Sequence, residues 1–271
     1  MFKINNLTYQ YDKTRKALDN VSMDFNKGDI IGIIGSNGSG KSTLFNNLMG
    51  ILKSTEGEIL YNGEQIKYDK KSLYNLRKEV GIVFQDPEKQ IFYSMVYDDI
   101  AFALRNIGMD EKTIKDRIHT ALEAVNGLQF IDRPVHNLSF GQKKRVAIAS
   151  VVAMENKLVL LDEPTAGLDP ISTRAIVDII KGLNKRGVKI VISSHDMNLI
   201  YEICDYVYVL NQGVLINEGT RAEVFVNEEK INEAGLELPW LVKLHKNMGL
   251  PLFPKEEDLY SFWNKQAQKT V

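Results

Sequence analysis

One cysteine in 271 residues, Cys204, rules out an internal disulfide framework, and no signal-peptide pattern stands at Met1. These two absences predict a chain kept in a reducing cytosol, with Cys204 packed as a small hydrophobe near a helix end. Nowhere does an uninterrupted apolar run approach the roughly 20 residues that span a bilayer as a helix. The chain is therefore expected to be soluble by itself, although docking on a membrane protein needs only a surface patch. An excess of either charge is missing too, since 34 Lys and Arg stand against 35 Asp and Glu for a net charge of −1. That balance gives no electrostatic reason to expect a stable nucleic-acid partner. Internal repeats, low-complexity tracts and a His/Cys spacing suited to a metal are likewise absent.

What is present is enough apolar residue, 44%, for one large α/β domain with a smaller appended element. Ile4 to Tyr11 reads as an edge strand, followed by a polar turn over Asp12 to Lys16 and a strand over Ala17 to Phe25. Ile30 to Ile34 is a short buried strand, and Asn62-Gly63 is a hairpin turn between Glu58 to Tyr61 and Gln65 to Tyr68. Val80 to Phe84, Leu158 to Leu161, Val188 to Ser193 and Tyr206 to Leu210 are further buried strands, alternating in the second half with helices over 171–183 and 197–203. Helices over 97–104, 114–125 and 142–154 make an inserted helical region, about 86–155, in a layered α/β core. After a soft boundary near residue 220, two or three short amphipathic helices punctuated by glycine and proline form the tail, 221–271. Its aromatics Phe253, Tyr260, Phe262 and Trp263 serve either a satellite core or a partner contact.

Chemistry concentrates first in Gly35-Ser36-Asn37-Gly38-Ser39-Gly40-Lys41-Ser42-Thr43, which fits the nucleoside-triphosphate P-loop at every fixed position, between a strand and a helix. Its glycines let backbone N–H groups point at phosphates, Lys41 supplies a point charge, and the Ser42 hydroxyl can ligate Mg²⁺. ATP or GTP is the expected ligand. Asp162 emerges from the apolar strand Leu158 to Leu161, where a carboxylate meets Mg²⁺ or its water shell, and Glu163 stands next to it to polarise a water. Gln85 and His195, each just past a buried strand, are candidates to sense Mg²⁺, water or the γ-phosphate. In Leu138-Ser139-Phe140-Gly141-Gln142, Ser139 can contact a phosphate, Gly141 admits close backbone approach, and Gln142 starts a helix whose N-terminus favours an anion.

This ordered set resembles the ATP-binding-cassette (ABC) ATPase family over about residues 2–220. The resemblance implies a P-loop NTPase fold with an antiparallel β subdomain, a helical subdomain and a short C-terminal helical extension. It assigns Walker A to Gly35–Thr43, the Q-loop to Gln85, Walker B to Leu158–Asp162, the catalytic carboxylate to Glu163, the D-loop to Ala166–Asp169 and the switch histidine to His195. Tyr11, or else Tyr9, corresponds to the aromatic that stacks on adenine. Phe140 stands where the family commonly has glycine. Gln85 to Phe92, with Val96 to Phe102, is similar to the energy-coupling-factor or cobalt-type import branch, which puts Gln90, Ile91 and Phe92 near a partner groove.

By this resemblance Ser139, Gly141 and Gln142 face ATP held by a second ATPase subunit, in a homo- or heterodimer paired partly through the 221–271 tail. The implied assembly adds an energy-coupling transmembrane subunit and a substrate-binding membrane subunit at the cytoplasmic face of the cell membrane. Its cargo is a vitamin or a transition-metal ion, cobalt or nickel. A conventional ABC importer and a soluble ABC protein acting on ribosome or nucleic acid are the other readings.

Overall fold

Strands β1 (Phe2–Gln10) and β2 (Lys16–Asp24) pair antiparallel, and β1 pairs on its other side with β4 (Glu56–Tyr61). The edge position expected for the first strand is thus overturned: Phe2, Ile4 and Leu7 are buried, and β1 lies inside the sheet. The expected hairpin forms at Asn62-Gly63, both with positive φ, and returns only over β5 (Glu64–Gln65). This computed structural model describes residues 1–12 and 15–267; Lys13 and Thr14, inside the expected polar turn, and the last four residues of the tail lie outside the described residues.

The second sheet is built around β3 (Ile30–Ile34), all five residues of which are buried. A strand apolar throughout belongs in the middle of a parallel sheet covered on both faces, and β3 lies there. Its parallel neighbours are β8 (Lys189–Ser194) and β9 (Tyr206–Asn211); β7 (Leu158–Asp162) and β6 (Val80–Val83) follow beyond β8, and β10 (Val214–Thr220) closes the far side antiparallel to β9. Alternation along β3 feeds two cores. Ile31 and Ile33 join Phe45 of α1 (Lys41–Leu48) and the residues of the antiparallel sheet, whereas Ile30 and Ile34 join the helices of the opposite face.

Between β5 and β6 runs α2 (Lys70–Glu79), a helix not anticipated from the sequence. The helical region comprises α3 (Val96–Asn106), α4 (Glu111–Ala124) and α5 (Phe140–Ala153), which pack on one another through residues such as Ile100, Ile118 and Ile148. Helix α6 (Pro170–Lys185) follows β7, capped by Asp169, and α7 (Met197–Ile203) follows β8. Four short helices rather than two or three complete the described chain: α8 (Arg221–Val226), α9 (Glu228–Glu233), α10 (Trp240–Met248) and α11 (Glu256–Ala267). Phe225, Ile231, Val242 and Phe253 merge into the same apolar cluster as β8 and β9, and Phe253 meets Phe262 at 5.3 Å between ring centroids. Tyr260 and Trp263, by contrast, are exposed and anchor no core.

Candidate active site

Four parallel strands end along one edge of the central sheet, where an open α/β sheet receives its ligand at the crevice beyond the carboxyl ends. Gly35 follows β3, Glu163 follows β7, His195 follows β8, and Gln85 lies two residues past β6. Backbone topology alone therefore carries chemistry from distant parts of the chain to one rim.

The P-loop is shaped by close approach. A Cβ on Gly35 would collide with the Leu210 carbonyl and the Ser39 hydroxyl, and Gly40 caps α1 in the left-handed region at φ 108°, where a Cβ would sit 2.7 Å from the Ala17 carbonyl. No side chain caps α1 and no acid stands in its first turn, so its N-terminal N–H groups remain available to an anion. The Ser39 hydroxyl is buried without a hydrogen-bond partner, which suits a loop built for a polar ligand such as triphosphate. Lys41, buried, donates to the carbonyls of Gly35 at 2.7 Å and Ser36 at 3.2 Å. Burial pulls its ammonium below the ordinary lysine value, opposed by the charges of Glu163 and Asp162. A cleft of about 390 Å³ opens over the loop, lined by Tyr11, Asn37, Gly38, Ser42, Thr43 and Glu163 among others. The Tyr11 hydroxyl lies 3.1 Å from Thr43 Oγ1 with the residue 64% exposed, while Tyr9 packs edge-on against its ring, 4.9 Å between centroids. Of the two tyrosines, Tyr11 faces the cleft.

Asp162 ends β7 buried, accepting the Ser193 hydroxyl on Oδ1 at 2.5 Å. Glu163 turns out of the strand at φ 45°, a left-handed conformation costing a non-glycine residue about 1–3 kcal/mol. It is fixed from both sides. Its N–H donates to Ser193 Oγ and O at 3.0 and 3.1 Å, and its carbonyl accepts from Ala166 N at 3.2 Å and from Lys144 Nζ at 2.8 Å. The carboxylate stands between two cationic or proton-carrying groups, with Lys41 Nζ 3.7 Å from Oε1 and His195 Nδ1 2.8 Å from Oε2. Among the described residues no group of three or more His, Cys, Asp or Glu side chains is arranged to hold a metal. A cation here would have to lean on phosphate oxygens as well as on Asp162 and the exposed Ser42.

Other candidate residues stand apart from this cleft. Ser139 is the N-cap of α5 and Gln142 its third residue, the two forming a reciprocal capping box; the helix begins at Phe140 rather than at Gln142. Neither they nor Gly141 line the P-loop cleft. Phe140 packs on the D-loop of its own chain, since a Cβ on Gly167 would lie 3.4 Å from its ring. Gln85 is exposed at the strand exit. Gln90, which the resemblance puts near a partner groove, turns its side chain inward: its carbonyl oxygen accepts from Phe84 N, and its amide donates to Ala147 O at 3.0 Å. Phe92 remains 78% exposed. Sequence reasoning passed over Ser193 and Lys144, which hold the Glu163 backbone, and Arg15 and Gln212, which line the cleft.

A triphosphate-shaped loop, a buried strand-end carboxylate and a second carboxylate held by lysine and histidine define a P-loop nucleoside triphosphatase. Comparison with known proteins gives its family. Residues 18–166 match the family model described as ABC transporter. The chain is 45% identical over 267 residues to the cobalt import ATP-binding protein of Salmonella typhimurium, covering 98% of each chain. It is also 45% identical to the energy-coupling factor transporter ATP-binding protein of Methanocaldococcus jannaschii, over 88% of this chain and 85% of that one. The solved structure of the protein cbiO1 from Clostridium perfringens, described as part of an ABC transporter complex, superposes with a TM-score of 0.78 at 41% identity, covering 90% of this chain and 98% of that one. This chain belongs to the ABC transporter family, as an ATP-hydrolysing ATPase of the energy-coupling-factor and cobalt-import branch.

Proposed function

We propose that this chain drives uptake of a transition-metal ion, cobalt first, through membrane partner subunits at whose cytoplasmic face it docks. Relatives named for cobalt import, matched along nearly their whole length, support that cargo over a vitamin. No helix among the described residues is long and apolar enough to cross a membrane, so a spanning path would come from partners. In this reading residues 1–220 are the ATPase domain with its helical insertion at about 86–155, and residues 221–271 are an extension that helps pair two ATPase subunits.

Tyr11 stacks on the adenine, and the loop from Gly35 to Thr43 wraps the phosphates with Lys41 on the β- and γ-positions. Ser42, Asp162 and Gln85 are the residues that would hold Mg²⁺, which would supply neutralisation of phosphate charge. Ser139, Gly141 and Gln142 close over ATP carried by the second subunit, and Glu163 polarises the attacking water while His195 steadies its carboxylate. The linked trio Lys41, Glu163 and His195 is the observation that carries this reading. Glu163→Gln is the test. The amide keeps the shape and loses the basicity, so single-turnover hydrolysis should fall at least about a hundredfold while ATP binding and ATP-dependent dimerisation persist. Hydrolysis by the variant at the parental rate would remove Glu163 from the reaction.

A further inference from the structure

Lys144 is out of place by the usual rules for charge. It lies on α5, half of whose residues are buried, and is itself only 1% exposed. Lysine is almost never this buried unless paired, and its ammonium has three protons to donate. Its hydrogen bond goes to the carbonyl of Glu163, 2.8 Å away, and the ring of Phe140 covers it with its centroid 5.6 Å from Nζ. Other groups could have held that carbonyl without burying a charge; Ala166 N already does so at 3.2 Å. What the ammonium adds is a strong, charge-assisted bond from a different element to a peptide kept in the left-handed region.

The consequence lies in where the two ends of Glu163 are tied. Ser193 of β8 fixes its N–H, and Lys144 of α5 fixes its carbonyl, so the φ and ψ that aim the carboxylate are set by two different elements. We propose that Lys144 is a positioning residue for hydrolysis: through the Glu163 carbonyl it holds the carboxylate in line for the attacking water and ties it to the helix that Ser139 caps. The proposal rests on Glu163 being the carboxylate that acts on water, as argued above.

The test measures kcat, KM, nucleotide binding with a fluorescent ATP analogue and melting temperature for the chain and its Lys144→Met, Lys144→Gln and Lys144→Arg variants. Loss of alignment by a fraction of an ångström should lower kcat about tenfold or more in the Met and Gln variants, with KM and nucleotide binding within about twofold. Lys144→Arg, which keeps a charged donor, should recover most of the turnover. Adding Glu163→Gln to Lys144→Met should cost nothing beyond Glu163→Gln alone, because both act on one group. If Lys144→Met does not fold, the Gln and Arg pair reads the same contrast. Parental kcat in the Met or Gln variant overturns the proposal while leaving Glu163 in place. So does a loss shared equally by Arg, Gln and Met and matched by weaker nucleotide binding and a lower melting temperature, which marks a merely structural lysine. Parental hydrolysis by Glu163→Gln alone would instead remove the reading on which the proposal stands.

Discussion

A lysine buried beside two carboxylates makes stability depend on pH with the same sign as ordinary acid denaturation, but in an alkaline window. Burial pushes the Lys144 ammonium down from 10.5 to about 8, against the pull of Glu163, Asp162 and Asp86. Between those values the unfolded chain holds the proton and the folded chain has released it, so stability rises with pH across that window. Relative to Lys144→Met, the parent chain should gain about 2 kcal/mol, after allowance for screening, between pH 7.5 and pH 10, read from urea midpoints. A constant difference would show that the amine does not titrate there. This residue was illegible in the sequence for a physical reason. Lys143-Lys144-Arg145 reads as a solvated basic run, and only the phase of α5 turns the middle member inward while Lys143 reaches Glu88 at 2.5 Å. The P-loop residues, Asp162, Glu163 and His195 were legible because their spacing from strand ends is itself the signal. The choice between Tyr9 and Tyr11 was not, since Tyr11 lies just past the end of β1 and only the folded bend there brings its hydroxyl to Thr43.

At the scale of elements, burial decided what periodicity could reveal. Strands β3 and β7 announce themselves as apolar runs, but α2 buries only Leu76 and so shows no apolar stripe; its available signal was the Asp69 cap, which accepts from Lys71 N and Ser72 N. The loop after β6 is held by side chains, one reaching far along the chain and one close by. Gln90 ties it to α5, and Asp99, buried in the first turn of α3, accepts from Phe92 N at 2.8 Å and Tyr93 N at 3.1 Å. Asp99 thereby fixes the backbone that carries the exposed Phe92, where the proposed function expects a membrane partner. Asp99→Ala would leave two N–H groups without their acceptor, a cost of about 1–3 kcal/mol, and should loosen the loop. In the isolated chain ATP hydrolysis should stay within about twofold of the parent, whereas ATP-driven uptake by the full assembly should drop several-fold, with Asp99→Asn, which keeps the acceptor oxygen, restoring it. Equal loss of hydrolysis and uptake would place Asp99 in the nucleotide site instead.

Across the whole molecule, two apolar cores meet at the central sheet, and the helices after Thr220 fold into the larger of them. Composition foretold a core of this size and the strand-helix alternation foretold its layers, but the sharing of one core between the ATPase fold and the tail depends on contacts such as Tyr201 Oη with the Phe253 carbonyl at 3.0 Å, which no local pattern encodes. Exposed Tyr260 and Trp263 leave apolar surface on the last helix. The central claim is that this ATPase works inside an importer, and the most direct test is purification of the tagged chain from membranes of its native cell, with stoichiometric partners identified and ATP hydrolysis measured on the intact assembly. The expected result is a second ATPase subunit together with a transmembrane coupling subunit and a substrate-binding membrane subunit, hydrolysing ATP unless Glu163→Gln is present. Recovery with two conventional permease domains, or with ribosomes or nucleic acid and no membrane subunit, would contradict it.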